Sequence, residues 1–146
     1  MVAGMTNTAT ETWHGEHAIE IAAAPEAIWN LFRDVASWPR WNAGVERVEL
    51  HGPFAVGTRF TMKVPGHDAF ESTLRDVRPD ERFVDETRLG DLVVTVAHEI
   101  RRGASGGVRV VYAIDVDGPG AADVGQGISS DFPDVLAALK ALVEAR

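Results

Sequence analysis

Asp85, His98 and Tyr112 are the side chains of this sequence whose types and spacing combine into proton-transfer chemistry. A carboxylate held against one imidazole nitrogen fixes the ring's tautomer and tunes the other nitrogen as a general acid or base, while a phenol nearby adds a hydroxyl donor. Their nearness follows from hairpin register. The two-residue Gly90-Asp91 turn pairs Leu89 with Leu92, hence Asp85 with Val96 and Phe83 with His98. Pairing Ile100 with Val108 across the next turn then sets Val96 opposite Tyr112 and His98 opposite Val110. Working back through the RPDE turn places Leu74 beside Asp85 and Ser72 beside Thr87. Diagonal cross-strand neighbours lie about 7 to 8 Å apart, which long side chains bridge. The catalytic assignment is therefore His98 as acid or base, Asp85 as its orienter and Tyr112 as hydroxyl donor. The plainer alternative is a satisfied polar network in a partly wet core.

The elements that carry these residues are legible as alternation and turns. His17-Ala-Ile-Glu-Ile alternates as a first strand. Pro25 opens PEAIWNLFRDV, where Ile28, Leu31, Phe32 and Val35 recur at helical spacing, and Ser37 offers a cap to a further turn through Trp38-Pro39-Arg40-Trp41. Six more strands are expected near residues 45–51, 58–64, 68–77, 82–89, 92–101 and 108–117, separated by GPFAVG, PGH, RPDE, GD and GASGG. From Ala121 onward Val124, Ile128, Phe132, Val135, Leu136, Leu139, Leu142 and Val143 form one helical stripe. Pro133 inside it predicts a kink or a restart, with Asp131 and Asp134 offering a cap. The result is an α+β fold: a seven-stranded antiparallel sheet wrapped around a long C-terminal helix ending near Ala145, with two short helices between strands 1 and 2. Residues 1–15 are expected to be a flexible tail and residues 16–146 a single domain.

One sheet face carries Phe60, Met62, Phe70, Ser72, Leu74, Phe83, Asp85 and Thr87, continued by Val94, Val96, His98, Ile100, Val110, Tyr112 and Ile114. It holds most of the large apolar residues and is the core face. Between it and the closing helix a mostly apolar cavity of about 300 to 1,000 Å³ is expected, bounded by Phe60, Met62, Phe70, Val96, Tyr112, Ile128 and Phe132. Trp41, Ser72, Leu74, Thr87, Ile114 and Val124 complete the expected ligand contacts. Trp38 and Trp41, on the elbow after the first helix, are expected to close the pocket or pack beside its entrance, Trp41 being the nearer contact. Gly125 and Gly127 would leave room for ligand or mark an irregular first turn.

Other chemistry finds little support. His14, His17, His51 and His67 show no metal-ligand spacing, so no metal is expected. Neither glycine-rich segment opens a helix after a strand, which argues against a phosphate or dinucleotide loop, and no cofactor is expected. The chain of 146 residues carries 22 acidic against 14 basic side chains, a formal charge of -8 that disfavours nucleic acid and anionic membranes as partners. With no cysteine there is no disulfide framework. The N-terminus lacks a basic start and an apolar run, so a cytoplasmic location is expected, and a homodimer is a possible assembly.

The segment IEIAAAPEAIWNLFRDVASWPRWNAGVERVEL, followed by GPFAVGTRF and the closing FPDVLAALKALVEA, resembles the START-like or SRPBCC superfamily, the birch pollen allergen type of helix-grip fold. Within it the likeness is to the polyketide cyclase/dehydrase and lipid-transport branch, across about Glu16 to Arg146. That resemblance implies a cavity between sheet and closing helix, and a function among binding of a small, largely apolar ligand, cyclase or dehydratase catalysis in the same pocket, and protein interaction through a filled core. It carries no catalytic motif onto this chain.

Overall fold

The computed structural model describes residues 11–145. Seven antiparallel strands form one sheet in the order β1-β7-β6-β5-β4-β3-β2. They are β1 (Thr12–Ile21), β2 (Arg47–Leu50), β3 (Arg59–Lys63), β4 (Phe70–Arg78), β5 (Arg82–Leu89), β6 (Leu92–Arg102) and β7 (Val108–Asp117). Between β1 and β2 lie helix α1 (Pro25–Arg33), a 3-10 turn over Val35–Ser37 and the single turn α2 (Trp38–Trp41). Ser37 stands at the cap position of α2 without capping it; its hydroxyl donates instead to the Asp34 carbonyl at 2.7 Å. Two helices close the chain, α3 (Ala121–Ser129) and α4 (Phe132–Glu144).

β1 begins earlier than the alternation from His17 predicts. Thr12 to Gly15 pair with β7, Trp13 opposite Val116 and Gly15 opposite Ile114, so the expected tail through residue 15 gives way to strand at Thr12. The indole of Trp13 accounts for two glycines. A Cβ at Gly15 or at Gly125 in α3 would run into that ring, so the small residue in α3 makes room for an indole of the protein itself, and of the two α3 glycines Gly127 stands open.

The β5–β6 register is the expected one throughout, with Phe83 opposite His98 and Asp85 opposite Val96. Leu74 opposite Asp85 and Ser72 opposite Thr87 also hold, a bulge at Arg75 absorbing the extra residue of the turn. The β6–β7 pairing differs by two residues: Arg102 meets Val108, Ile100 meets Val110, Val96 meets Ile114 and His98 meets Tyr112. The reason is a tighter turn. Gly103 donates its N–H to the Gly107 carbonyl at 2.9 Å, and Gly106 supplies a φ of 85° that a residue with a side chain rarely adopts. A shift of two preserves the face of every side chain, so the core face is as expected, but His98 and Tyr112 become direct neighbours.

The closing stripe restarts at Pro133. The ring has no N–H to give, and it occupies the first turn of α4, where none is needed. Asp131 takes the cap position without a side-chain cap bond, contrary to the expected local cap. α4 buries Phe132, Val135, Leu136, Leu139 and Val143 and is tethered to the end of β1. Lys140 donates to the Glu20 carbonyl at 3.0 Å, and Ala22 donates its N–H to the Glu144 carboxylate at 2.8 Å. No helix among the described residues is long and apolar enough to cross a membrane.

Candidate functional site

The concave face is read most simply as rows running across the strands. One row places Phe83, His98, Tyr112 and His17 side by side on β5, β6, β7 and β1. The next places Leu74, Asp85, Val96 and Ile114 together, and the one beyond it Phe60, Ser72, Thr87 and Val94. Asp85 and His98 therefore sit on adjacent strands one row apart. The side-chain oxygens of Ser72 and Thr87 lie 2.6 Å apart and satisfy one another.

His98 is held by stacking. Its ring lies parallel to Phe83 at 4.0 Å between centroids, with Tyr112 edge-on at 4.6 Å and Phe32 of α1 at 6.0 Å. Behind Phe83 stacks Trp38, and Phe132 of α4 meets Tyr112 edge-on at 5.4 Å. The Nδ1 of His98 lies 3.3 Å from the Phe83 carbonyl oxygen. A carbonyl can only accept, so Nδ1 carries the proton and Nε2 presents a lone pair. The backbone of β5 thus fixes the tautomer, a role the sequence had assigned to Asp85. Asp85 faces the other nitrogen: its Oδ2 is 4.0 Å from Nε2, beyond direct hydrogen-bond reach. Each of these two side chains keeps 13 % of its surface exposed.

Burial drives all three groups toward their neutral forms. It pushes the Asp85 carboxyl up to about 7. It pulls the His98 imidazole down to about 3, against a small opposing effect of the Phe83 carbonyl. It raises the Tyr112 phenol, which the nearby carboxylates of Asp85 and Asp131 raise further. At neutral pH, Asp85 is the member of the set poised to exchange a proton, and His98 is a fixed neutral acceptor.

The remaining expected contacts divide by burial. Phe60, Leu74 and Ile114 are sealed in the core, and Val96 and Phe132 nearly so. Met62, Phe70, Val124 and Ile128 are half-buried. Trp41 is buried, with its indole N–H donating to the Ser37 hydroxyl at 3.3 Å, and the residue stacked toward the polar set is Trp38. Two open grooves occur elsewhere, one of about 300 Å³ against the β6–β7 turn and one of about 390 Å³ between Trp29, Phe54 and Val77. Neither is lined by the residues expected around an internal cavity. Sequence reasoning missed Phe32 and Trp13. Phe32 reaches the site from a helix, where strand register says nothing. Trp13 was legible, since Trp13, Gly15, His17 and Ile19 continue one alternating face. Among the described residues no three histidine or carboxylate side chains converge as metal ligands.

No curated protein matches the chain. Among solved structures, norcoclaurine synthase from Thalictrum flavum, in complex with dopamine and hydroxybenzaldehyde, is similar over 97% of this chain and 92% of its own, with a TM-score of 0.75 at 16% identity. The di-domain ARO/CYC StfQ from the steffimycin biosynthetic pathway superposes with a TM-score of 0.78 at 14% identity. That match covers 97% of this chain and 54% of StfQ, so the chain spans about half its length. Ara h 8.0201 is similar over 93% of this chain and 100% of its own, with a TM-score of 0.75 at 13% identity. At such identities the likeness is one of fold. The family model described as polyketide cyclase / dehydrase and lipid transport matches residues 12–144, from the first residue of β1 to the last of α4, and the chain belongs to that family, within the SRPBCC or Bet v 1-like superfamily.

Proposed function

We propose that this protein binds a small, largely apolar molecule, of polyketide-like, aromatic or lipid-like character, between the concave sheet face and the closing helices. One observation carries the reading. The Asp85 carboxyl, the Nε2 of His98 and the Tyr112 hydroxyl have no hydrogen-bond partner among the described residues. Yet no side-chain nitrogen or oxygen among the described residues is both sealed and unpartnered, which supports open space beside each of the three. Unpaired polar groups at an apolar interior cost about 1 to 3 kcal/mol each, and a ligand or ordered water that meets them removes that cost. Met62, Phe70, Val124 and Ile128, which the sequence places among the ligand contacts, are half-buried and keep apolar surface available to such a molecule.

A hydrophobic dye such as 1-anilinonaphthalene-8-sulfonate tests this directly. It should bind with one-to-one saturation and be displaced by aromatic or acyl compounds, and His98→Ala should weaken displacement by the worth of one buried hydrogen bond. Failure of a chemically broad panel, with an intact fold by circular dichroism, would sink the binding reading and favour protein interaction through a filled core.

A catalytic version of the same pocket draws support from the elevated Asp85, whose ionisation near neutrality suits a general base. In that version Asp85 moves the proton, Tyr112 donates to a developing oxyanion and His98 accepts. Asp85→Asn would then cut turnover of a cyclase or dehydratase substrate about 100-fold or more while leaving its affinity nearly unchanged. Equal losses in both would leave only binding.

A further inference from the structure

We infer that the Asp85–His98 pair is a receptor for one neutral hydroxyl group, so that the ligand is a phenol, an enol or an alcohol on an apolar body. The inference rests on the binding reading above and specifies its ligand class. It starts from the separation of the pair. Oδ2 and Nε2 stand 4.0 Å apart on adjacent strands, with Nδ1 committed to the Phe83 carbonyl. A carboxylate oxygen and an imidazole lone pair facing each other at that distance repel unless one proton lies between them. The pair therefore holds one proton, on the Asp85 carboxyl when both groups are neutral.

A pair in this state offers a donor on one side and an acceptor on the other. An oxygen at a hydrogen-bond length of about 2.7 Å from both atoms sees them at roughly 95°, close to the angle between a hydroxyl's O–H bond and its lone pair. A hydroxyl accepts from the Asp85 carboxyl and donates to Nε2. An ether or ketone accepts only, which leaves Nε2 unsatisfied. A carboxylate brings a full negative charge to an apolar site where no cation stands among the described residues, and the titratable groups that act on Tyr112 there, Asp85 and Asp131, are both acidic. His98 is hemmed in by rings, Phe83 stacked parallel to it and Tyr112 and Phe32 packed against it at steep angles. The site is rigid on the side that must discriminate.

The test uses one apolar body with four substituents, titrated calorimetrically at pH 6: 2-naphthol, 2-methoxynaphthalene, naphthalene and 2-naphthoate. 2-Naphthol should bind about tenfold or more tighter than the ether and the hydrocarbon, since two hydrogen bonds are at stake, and 2-naphthoate should bind weakest. Asp85→Leu and His98→Phe should each bring the naphthol within about threefold of naphthalene measured on the same variant. Asp85→Asn, whose amide still donates and keeps the shape, should retain most of the preference. Equal affinity for naphthol and its ether in the wild type would overturn the inference while leaving the binding reading intact. So would a preference for 2-naphthoate, or a naphthol preference that survives in Asp85→Leu. Absence of binding by all four compounds and by the dye would remove the binding reading itself.

Discussion

Asp85 and Glu86 are consecutive residues of β5, and they live in opposite electrostatic worlds. Glu86 points to the outer face, where the Arg75 guanidinium lies 2.8 Å from its carboxylate and Arg88 sits nearby, and these cations hold it below the usual carboxylate range. The same device recurs across that face, with Arg82 on Asp76 and Arg109 on Glu20. Asp85 points inward, finds no cation among the described residues and is pushed up to about 7 by burial. A strand's twofold alternation is enough to separate them. The outer carboxylates are solvated and paired, which suits a surface. The inner one is left without a hydrogen-bond partner among the described residues, where its proton can be exchanged, which suits a site.

Removing the aromatic wall should break the inner side of this contrast most severely. Phe83 is sealed between Trp38 and His98, so Phe83→Ala should cost about 3 to 5 kcal/mol in chemical denaturation, as large-to-small core changes do. A loss below about 1 kcal/mol would mean that the stack is not packed as described.

The Asp85→Asn exchange should reverse the usual sign of a carboxylate mutation. A carboxyl whose folded value is raised from 3.8 to about 7 gives its full stability below pH 4 and loses it as pH rises toward 7. The variant should match the wild type near pH 4 and exceed it at pH 8 by a few kcal/mol, since each pH unit between the unfolded and folded titrations is worth about 1.4 kcal/mol. His98 slopes the other way: its folded value is lowered to about 3, so its contribution is complete above 6.5 and fades as pH falls. Thermal melts of Asp85→Asn and His98→Ala from pH 3 to 8 read these slopes, and a flat difference for Asp85→Asn would place its carboxyl in water.

Gly125→Val should sharpen the account of the closing helices. The new side chain meets the Trp13 indole, and overpacking of this kind costs about 1 to 3 kcal/mol. Trp13→Ala in the same background should relieve the clash, recovering part of the loss in a double-mutant cycle. The smallest effect belongs to the outer face. Glu86→Gln should destabilise by about 0.2 to 1 kcal/mol and less in high salt, because exposed pairs are screened. Its sign at pH 8 opposes that of its neighbour.

Much of this contrast is legible in the order of residues alone. Period-two alternation assigns Asp85 to the core face and Glu86 away from it, and the Gly90-Asp91 turn pairs Phe83 with His98 without ambiguity. The Gly103–Gly107 turn is harder, since a run of glycine and serine can close at more than one residue, and the observed pairing lies two positions from the expected one. The difference leaves every side chain on its expected face. It hides only that His98 and Tyr112 touch directly.

What the sequence by itself determined is the set of faces and the order of the elements, because strand and helix periods are local properties of the backbone. It determined too that a carboxyl, an imidazole and a phenol share the inner face of the sheet. Only the tertiary structure decided what surrounds them. Phe32 arrives from α1 and Phe132 from α4, the Phe83 carbonyl claims Nδ1, and 4.0 Å is left between Asp85 and His98. Those facts depend on how helices seat against a sheet and on which backbone group a ring nitrogen meets. Distance through space and the loss of water set them, and neither is written in the spacing of residues along a chain.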